Sequence, residues 1–124
     1  IKEIRKKGFY DRLEKSSAQL ERGLLESAKE AECPVRLNRI GSMLGLFFTE
    51  HDVVDYSTVK LSDTSKYSIF FHAMLDQGIY FPPSAFETTF VSAAHSASDI
   101  SLTIETANQA FHRVHAQHKV AASR

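Results

Sequence analysis

The sequence is short of cysteine and tryptophan and has no excess of charge of either sign. Its 124 residues include one cysteine and no tryptophan. A single cysteine excludes an internal disulfide and favours a reducing compartment, so we expect a cytoplasmic protein. The 15 basic residues balance the 15 acidic ones, which argues against nucleic acid as a partner. No apolar run approaches the roughly 20 residues of a membrane span, and no hydrophobic stretch follows the positive charges of residues 1–7.

The residues that are present fit one globular domain. The chain is 43% hydrophobic and 24% charged, and its length is that of an ordinary domain with a modest core. The sequence does not begin with methionine, and residues 1–7 resemble the end of a helix that runs between domains. We therefore expect residues 1–124 to be a single domain cut from a larger protein.

Apolar residues at steps of three and four predict a long amphipathic helix over residues 10–31. Pro34 disfavours helical backbone at Cys33, so the helix should end before it. Gly8 is expected to separate this helix from residues 1–7.

Two further helices are predicted. Large apolar side chains repeat at helical spacing over residues 66–77, with Asp63 or Thr64 as the cap at the start and Gly78 as the residue that ends the helix. Residues 96–99 carry the S-x-x-D capping pattern of a final helix. The apolar stripe of that helix follows: Ile100, Ile104, Ala107, Phe111 and Val114.

The strand patterns are short. Residues 35–40 alternate apolar with polar, residues 43–49 are continuously apolar, and Gly41 with Ser42 suits a type II′ turn between them, which predicts an antiparallel hairpin. Short strands are also expected at residues 79–81, before Pro82 and Pro83, and at residues 90–93. Residues 50–65 are a predicted surface connection with a short extended piece near residues 57–60.

This order of elements predicts an α/β architecture of the α+β kind. We expect a small, mainly antiparallel sheet of three to four strands with helices on one face.

Several residues that can carry chemistry have simpler explanations. His112, His115 and His118 are three apart, but the first and third point roughly 120° apart around a helix, so the three cannot bind one ion and we expect no metal. Cys33 is expected to be a small buried side chain rather than a reactive thiol. His72 is expected to be a packed or rim residue rather than a base.

The carboxylate of Glu87 stands apart, because it lies among aromatic residues in a loop stiffened by Pro82 and Pro83. Such a group is costly to bury without a partner. The local pattern alone fits an exposed loop residue, and the alternative is that Glu87 faces a cleft and meets a cation supplied from elsewhere. His95 lies close to the start of the next helix, where a neutral imidazole is favoured, and either supports such a site or only neighbours the cap.

Four stretches of the sequence resemble one enzyme family. They are residues 8–14 (GFYDRLE), 38–49 (NRIGSMLGLFFT), 70–80 (FFHAMLDQGIY) and 83–87 (PSAFE). Together with residues 90–95 (FVSAAH), they resemble the C-terminal domain of the glutamate-1-semialdehyde 2,1-aminomutases. The resemblance covers nearly the whole chain in order and departs in residues 50–65 and after Val114. Other class III aminotransferases share the architecture but do not usually carry the PSAFE segment followed by such a strand.

The resemblance implies a dimeric fold-type I enzyme that uses pyridoxal 5′-phosphate or pyridoxamine 5′-phosphate. Such an enzyme converts glutamate 1-semialdehyde to 5-aminolevulinate for tetrapyrrole (porphyrin) synthesis. In that family the Schiff-base lysine and the phosphate-binding residues lie upstream, in a large domain. No lysine of this chain lies in a matching motif. We therefore expect no cofactor-binding residue here and no activity from the chain alone.

By the same resemblance, Glu87 matches the family's active-site glutamate. Related aminotransferases often use an arginine of the small domain to clamp an α-carboxylate. A carboxylate at this place instead attracts the ammonium of the diamine intermediate and repels ordinary α-amino acids. We expect Ser84, Phe86 and His95 to contact the substrate or to support Glu87.

Two other interpretations remain open. In one, the chain is the small domain of another class III aminotransferase that acts on an ω-amino or β-amino substrate. In the other, it is an independent α/β interaction module. We also expect the apolar faces of residues 10–31 and 100–114 to be exposed in the isolated chain, since a large domain or partner subunit would normally cover them.

Overall fold

The architecture is seen in a computed structural model of the chain, which describes residues 7–59, 62–84, 89–91 and 96–122. The elements in chain order are α1 (Lys7–Glu30), β1 (Arg36–Ile40), β2 (Met43–Phe47), α2 (Tyr56–Val59), α3 (Thr64–Asp76), β3 (Thr89–Phe90) and α4 (Ala97–Ala122). The strands form one antiparallel sheet of three in the order β1-β2-β3. The inner face of this sheet shares one core with α1, α3 and α4. The predicted α+β architecture is confirmed.

Helix α1 begins before Gly8 rather than after it. The predicted break at Gly8 is therefore wrong, because a glycine weakens a helix by about 1 kcal/mol relative to alanine without necessarily ending it. The other end is as predicted. After Glu30 the chain turns through Glu32, whose φ is 55°, and the Cys33 N–H donates to the Ala28 carbonyl at 2.9 Å.

Gly23 allows α1 and α4 to approach closely. A Cβ at this position would overlap the side chain of Ile104 on α4. The two helices pack against each other, and Leu24 of α1 and Phe111 of α4 are both buried in the core. The expectation that these stripes are exposed in the isolated chain is therefore wrong, because both stripes lie in the core that α1 and α4 share with α3 and the sheet.

The hairpin is confirmed, and β1 pairs with β2 along its whole length. Gly41 in the turn has a φ of +59°. Glu32 is the one described non-glycine residue with a positive φ, so the φ of Ser42 is not positive. A positive φ at the first central residue alone is the geometry of the predicted type II′ turn.

The alternation of β1 departs from the predicted pattern at Arg39. This residue is half-buried, like Leu37 before it, whereas Ile40 is 75% exposed. The Arg39 guanidinium reaches α1 and pairs with Glu14 at 3.0 Å and Glu21 at 3.1 Å. These hydrogen bonds hold the pKa of the Glu14 carboxyl below its usual value and raise the pKa of Arg39. The ion pairs therefore join the hairpin to α1.

Residues 50–54 fold over the outer face of the hairpin. Arg36 Nη2 donates to the Glu50 carbonyl at 2.8 Å, and Asn38 Nδ2 donates to the Val53 carbonyl at the same distance. The Arg36 guanidinium also pairs with Asp52 at 3.3 Å. These contacts give the connection after β2 a defined path.

The extended piece expected near residues 57–60 is wrong, because the short helix α2 occupies Tyr56–Val59. Its first turn is capped reciprocally. The Thr58 N–H donates to Asp55 Oδ1 at 2.9 Å, and the Asp55 N–H donates to Thr58 Oγ1 at 3.0 Å. These bonds favour a helical turn, and the first of them also lowers the pKa of the Asp55 carboxyl.

Helix α3 has both of its predicted ends. Asp63 is the N-cap, and its carboxylate accepts a backbone N–H of the first turn at 3.1 Å. At the other end, Gly78 has a φ of +80° and its N–H donates to the Leu75 carbonyl at 2.8 Å. The Ile79 N–H donates to the Met74 carbonyl at 3.0 Å. This pair of bonds is a Schellman motif, which turns the chain out of the helix.

The predicted capping box of α4 is also confirmed. The Ser96 N–H donates to the Asp99 carboxylate at 2.9 Å, and the Asp99 N–H donates to the Ser96 hydroxyl at 3.1 Å. Among the described residues, no helix has the length and apolar character needed to cross a membrane.

Candidate active site

The candidate site is the loop between α3 and β3, which carries Glu87. Both ends of this loop are described, whereas Phe86 and Glu87 lie outside the described residues, as does His95. The roles predicted for these three residues therefore stay predictions. The geometry of the site is defined by the contacts that hold the two ends of the loop.

Phe81 anchors the first end of the loop in the core. Its side chain is buried, and its ring centroid lies 5.3 Å from that of Phe70 on α3. Phe70 in turn stacks on Phe111 of α4 at 4.9 Å. The start of the loop is thus tied through aromatic packing to two helices.

A hydrogen bond from α3 holds the next residue. Tyr67 Oη donates to the Pro82 carbonyl at 2.8 Å. The Tyr67 ring is 4% exposed, and it lies 6.2 Å from the Phe48 ring and 6.3 Å from the Phe70 ring. Tyr67 is one of the large apolar side chains whose spacing predicts this helix. The pattern does not single out its hydroxyl, because the contact joins residues 15 positions apart.

The strand predicted at residues 79–81 is wrong, since the structure assigns no strand there. The Ile79 N–H is already used in the helix cap, and Pro82 has no N–H to give. Too few backbone N–H groups remain in this segment to form a ladder of hydrogen bonds with a neighbouring strand. The buried side chain of Phe81 fixes this segment instead.

Strand β3 anchors the far end of the loop. Thr89 and Phe90 pair antiparallel with the start of β2, and the Val91 N–H donates to the Ser42 carbonyl at 2.9 Å. The strand predicted at residues 90–93 is thus confirmed at Phe90, while residues 92 and 93 lie outside the described part. Glu87 is two residues before this strand in the sequence.

A cavity of about 100 Å³ lies between the two ends of the loop. Its lining comes from the loop ends, α1 and the first turns of α4: Leu20, Ile79, Tyr80, Phe81, Thr89, Val91, Asp99, Ile100 and Thr103. Two of its polar groups are already bonded, since Asp99 caps α4 and the Thr103 hydroxyl donates to the Asp99 carbonyl at 2.8 Å. The described lining contains no cation.

Ser84 is the predicted site residue that the structure does describe. It is half-buried and engaged in an interaction within the chain. Its predicted contact with substrate stays a prediction.

Cys33 lies away from this loop, beside an open depression of about 420 Å³ between the end of α1 and the start of β1. The side chain is buried, as predicted. Burial raises the pKa of the Cys33 thiol to about 11, against a smaller lowering by the charge of Lys66. The thiol is therefore protonated at neutral pH.

We expect Cys33 to alkylate slowly. A pKa of about 11 in place of 9.0 leaves about 100-fold less thiolate near pH 8. Iodoacetamide should therefore label the native chain at least about 100-fold more slowly than the urea-unfolded chain at the same pH. Native labelling should accelerate as the pH rises from 9.0 to about 11. Equal rates for the two states would contradict the burial of this side chain.

The described histidine side chains do not form a shared site. His112 is exposed, and its Nδ1–H donates to the Asn108 carbonyl at 2.8 Å, while the His118 side chain lies outside the described part. No group of three metal-ligating side chains occurs within the described ranges. His72 is exposed and lies edge-on to Phe71 at 5.2 Å, as expected of a rim residue.

The described residues do not fit a pyridoxal phosphate site. Three lysine side chains are described, of which Lys15 and Lys29 are exposed on α1. The third, Lys66, lines an open depression of about 340 Å³ together with Glu50 and Asp63. Those two carboxylates would repel a phosphate group.

No protein-family model matches the chain. Individual sequences do, and the chain is 49% identical over 110 residues to glutamate-1-semialdehyde 2,1-aminomutase 2 of Brevibacillus brevis, covering 89% of the chain and 26% of that protein. It is 46% identical to glutamate-1-semialdehyde 2,1-aminomutase of Myxococcus xanthus, covering 90% of the chain and 26% of that protein. The chain is homologous to part of the glutamate-1-semialdehyde 2,1-aminomutases. It spans about a quarter of the length of these curated relatives.

Solved structures share the fold. An ω-transaminase from Sphaerobacter thermophilus superposes with a TM-score of 0.77 at 20% identity, over 88% of the chain and 25% of that protein. A glutamate-1-semialdehyde aminomutase from Pseudomonas aeruginosa gives a TM-score of 0.75 at 18% identity, over 88% of the chain and 24% of that protein. The fold therefore occurs in both enzyme types. The sequence identity is what links this chain to the aminomutases.

Proposed function

We propose that the chain is the C-terminal small domain of a glutamate-1-semialdehyde 2,1-aminomutase, with residues 1–124 forming one domain. The observation that supports this is 49% identity over 89% of the chain, at 26% of the length of the relative. The parent enzyme would rearrange glutamate 1-semialdehyde to 5-aminolevulinate, a step of porphyrin synthesis. The chain alone would be inactive, because the greater part of such an enzyme lies outside it.

The cofactor of the parent enzyme would be pyridoxal or pyridoxamine 5′-phosphate. Among the solved structures of similar fold are a transaminase with pyridoxal phosphate bound and the Pseudomonas aeruginosa aminomutase in complex with pyridoxamine phosphate. The bound group supplies an electron sink and carries the amino group. Since the described residues of this chain do not fit it, we assign its binding residues to the rest of the parent enzyme.

In this proposal, Glu87 presents a negative charge to the amine end of the substrate. Glutamate 1-semialdehyde carries an amine and an aldehyde where an ordinary α-amino acid carries an amine and a carboxylate. A carboxylate at this point attracts the ammonium of the diamine intermediate and repels an α-carboxylate. Ser84, Phe86 and His95 would contact the substrate or support Glu87.

The parent enzyme would act as a homodimer in the cytoplasm. The family resemblance supports the dimer. A single buried thiol is compatible with a reducing compartment.

A class III aminotransferase is the second candidate for the parent. The ω-transaminase superposition favours it, because the fold is equally that of a transaminase small domain. In that enzyme Glu87 would have a different role.

The full-length parent protein separates the two candidates. An aminomutase forms 5-aminolevulinate from glutamate 1-semialdehyde with no added amino donor or acceptor, since the amino group stays within one substrate skeleton. We expect this reaction from the purified parent enzyme. Transfer of an amino group from an ω-amino donor to an added keto acid, with no 5-aminolevulinate formed, would establish the transaminase instead.

A further inference from the structure

Two neighbouring side chains of α3 hold the start of the Glu87 loop. Phe70 packs on the Phe81 ring at 5.3 Å, and Tyr67 Oη donates to the Pro82 carbonyl at 2.8 Å. Tyr67 and Phe70 are three positions apart in the helix and therefore lie on one face of it. Helix α3 thus contacts two consecutive residues of the loop, Phe81 and Pro82.

The hydroxyl is the part of Tyr67 that the core does not require. The ring is buried against Phe48 and Phe70, and a phenylalanine would fill that space equally. The polar end of the side chain is directed to a loop carbonyl. Tyrosine therefore makes a hydrogen bond to Pro82 that phenylalanine cannot make.

A fixed Pro82 carbonyl restricts the backbone conformation of the residues that follow it. Its orientation sets the plane of the peptide bond between Pro82 and Pro83. The ring of Pro83 then locks the next φ near −65°, so one soft dihedral remains before Ser84. Glu87 follows three residues later and two residues before β3, whose pairing fixes the other end.

We propose that Tyr67 is a positioning residue for the active site, whose hydrogen bond to Pro82 sets the path of the chain toward Glu87. This inference rests on the proposed function. Tyr67 touches neither substrate nor cofactor in it and acts only through the loop. Its loss should therefore change how well the enzyme distinguishes substrates, besides changing stability.

The test is Tyr67→Phe in the full-length parent enzyme. This change keeps the ring and deletes the hydrogen bond to Pro82. The typical strength of such a bond corresponds to an effect of about 2- to 10-fold. We expect kcat for glutamate 1-semialdehyde to fall by about that factor with KM little changed, since the bond orients Glu87 rather than binds substrate. Discrimination against glutamate, measured as half-transamination, should weaken by a similar factor.

The matched control is Ser17→Ala. Ser17 is fully buried, and its hydroxyl donates to the Leu13 carbonyl at 2.8 Å within α1. This substitution deletes the same kind of buried bond away from the loop. It should leave the discrimination between the two substrates intact.

The double variant with Glu87→Gln completes the test. If Tyr67 acts through Glu87, Tyr67→Phe should add little to the loss of discrimination once the charge at residue 87 is gone. Suppose that Glu87→Gln alone has its full effect, but Tyr67→Phe leaves substrate discrimination intact, as Ser17→Ala does. That result would overturn the inference and leave the proposed function standing. If Glu87→Gln alone changes nothing, the proposed role of Glu87 fails and the inference fails with it.

Discussion

Replacing Glu87 by glutamine in the full-length parent enzyme is expected to slow aminomutation by about 10- to 150-fold. Glutamine keeps the shape and hydrogen-bonding capacity of glutamate and deletes its charge. The ammonium of the diamine intermediate then loses a charge-assisted partner, which is worth about 1.5–3 kcal/mol. The measurement is steady-state formation of 5-aminolevulinate from glutamate 1-semialdehyde.

The same substitution should admit ordinary α-amino acids. Their α-carboxylate would no longer meet a negative charge, so half-transamination with glutamate should become faster. Glu105→Gln, an exposed carboxylate on α4, is the matched control and should leave both reactions unchanged. Unchanged rates for Glu87→Gln would return this residue to the interpretation of a solvated loop carboxylate, and a large fall in melting temperature would make it structural.

Phe70→Ala is expected to destabilise the isolated chain by about 3–5 kcal/mol. The ring is fully buried at the centre of an aromatic cluster, so its removal leaves a cavity that rigid neighbours cannot fill. Its neighbours are Phe48 at 5.7 Å, Tyr67 at 6.3 Å, Phe81 at 5.3 Å and Phe111 at 4.9 Å. Urea denaturation followed by far-UV circular dichroism measures the loss.

Tyr80→Ala provides the comparison for that experiment. Tyr80 is also aromatic, but it is 69% exposed and lies 6.0 Å from Phe71. Its truncation should cost less than about 1 kcal/mol. Equal losses for the two variants would show that Phe70 is not the centre of the core.

Features that depend on a few adjacent residues could be predicted from the sequence. The cap at Asp63, the glycine at position 78 and the reciprocal Ser96 and Asp99 cap each act within one helical turn. The type II′ turn depends on Gly41 alone. In each case the backbone geometry that is required leaves few other residue types.

Errors arose where a short pattern fits more than one structure. Three apolar residues at 79–81 suit either a strand or a coil anchored by one buried side chain, and the helix cap at Gly78 decides for the coil. The Asp55 and Thr58 pair caps a helical turn, but the polar segment around it has too weak a pattern to predict a helix.

Contacts between distant residues could not be predicted. Arg39 pairs with Glu14, which lies 25 positions away, and the alternation of β1 does not indicate this ion pair. Tyr67 and Pro82 are joined only once α3 and the loop are folded together. The role of Glu87 came from the family resemblance, because its local pattern fits an exposed residue equally well.

A chimaeric enzyme tests the central claim most directly. The homologous quarter of the Brevibacillus brevis aminomutase would be replaced by this chain, and 5-aminolevulinate formation from glutamate 1-semialdehyde would be measured without an amino donor or acceptor. If the chain is the small domain of an aminomutase, the chimaera should catalyse this reaction, and its Glu87→Gln version should lose most of the activity. A chimaera that folds and binds its cofactor but forms no 5-aminolevulinate would contradict the assignment.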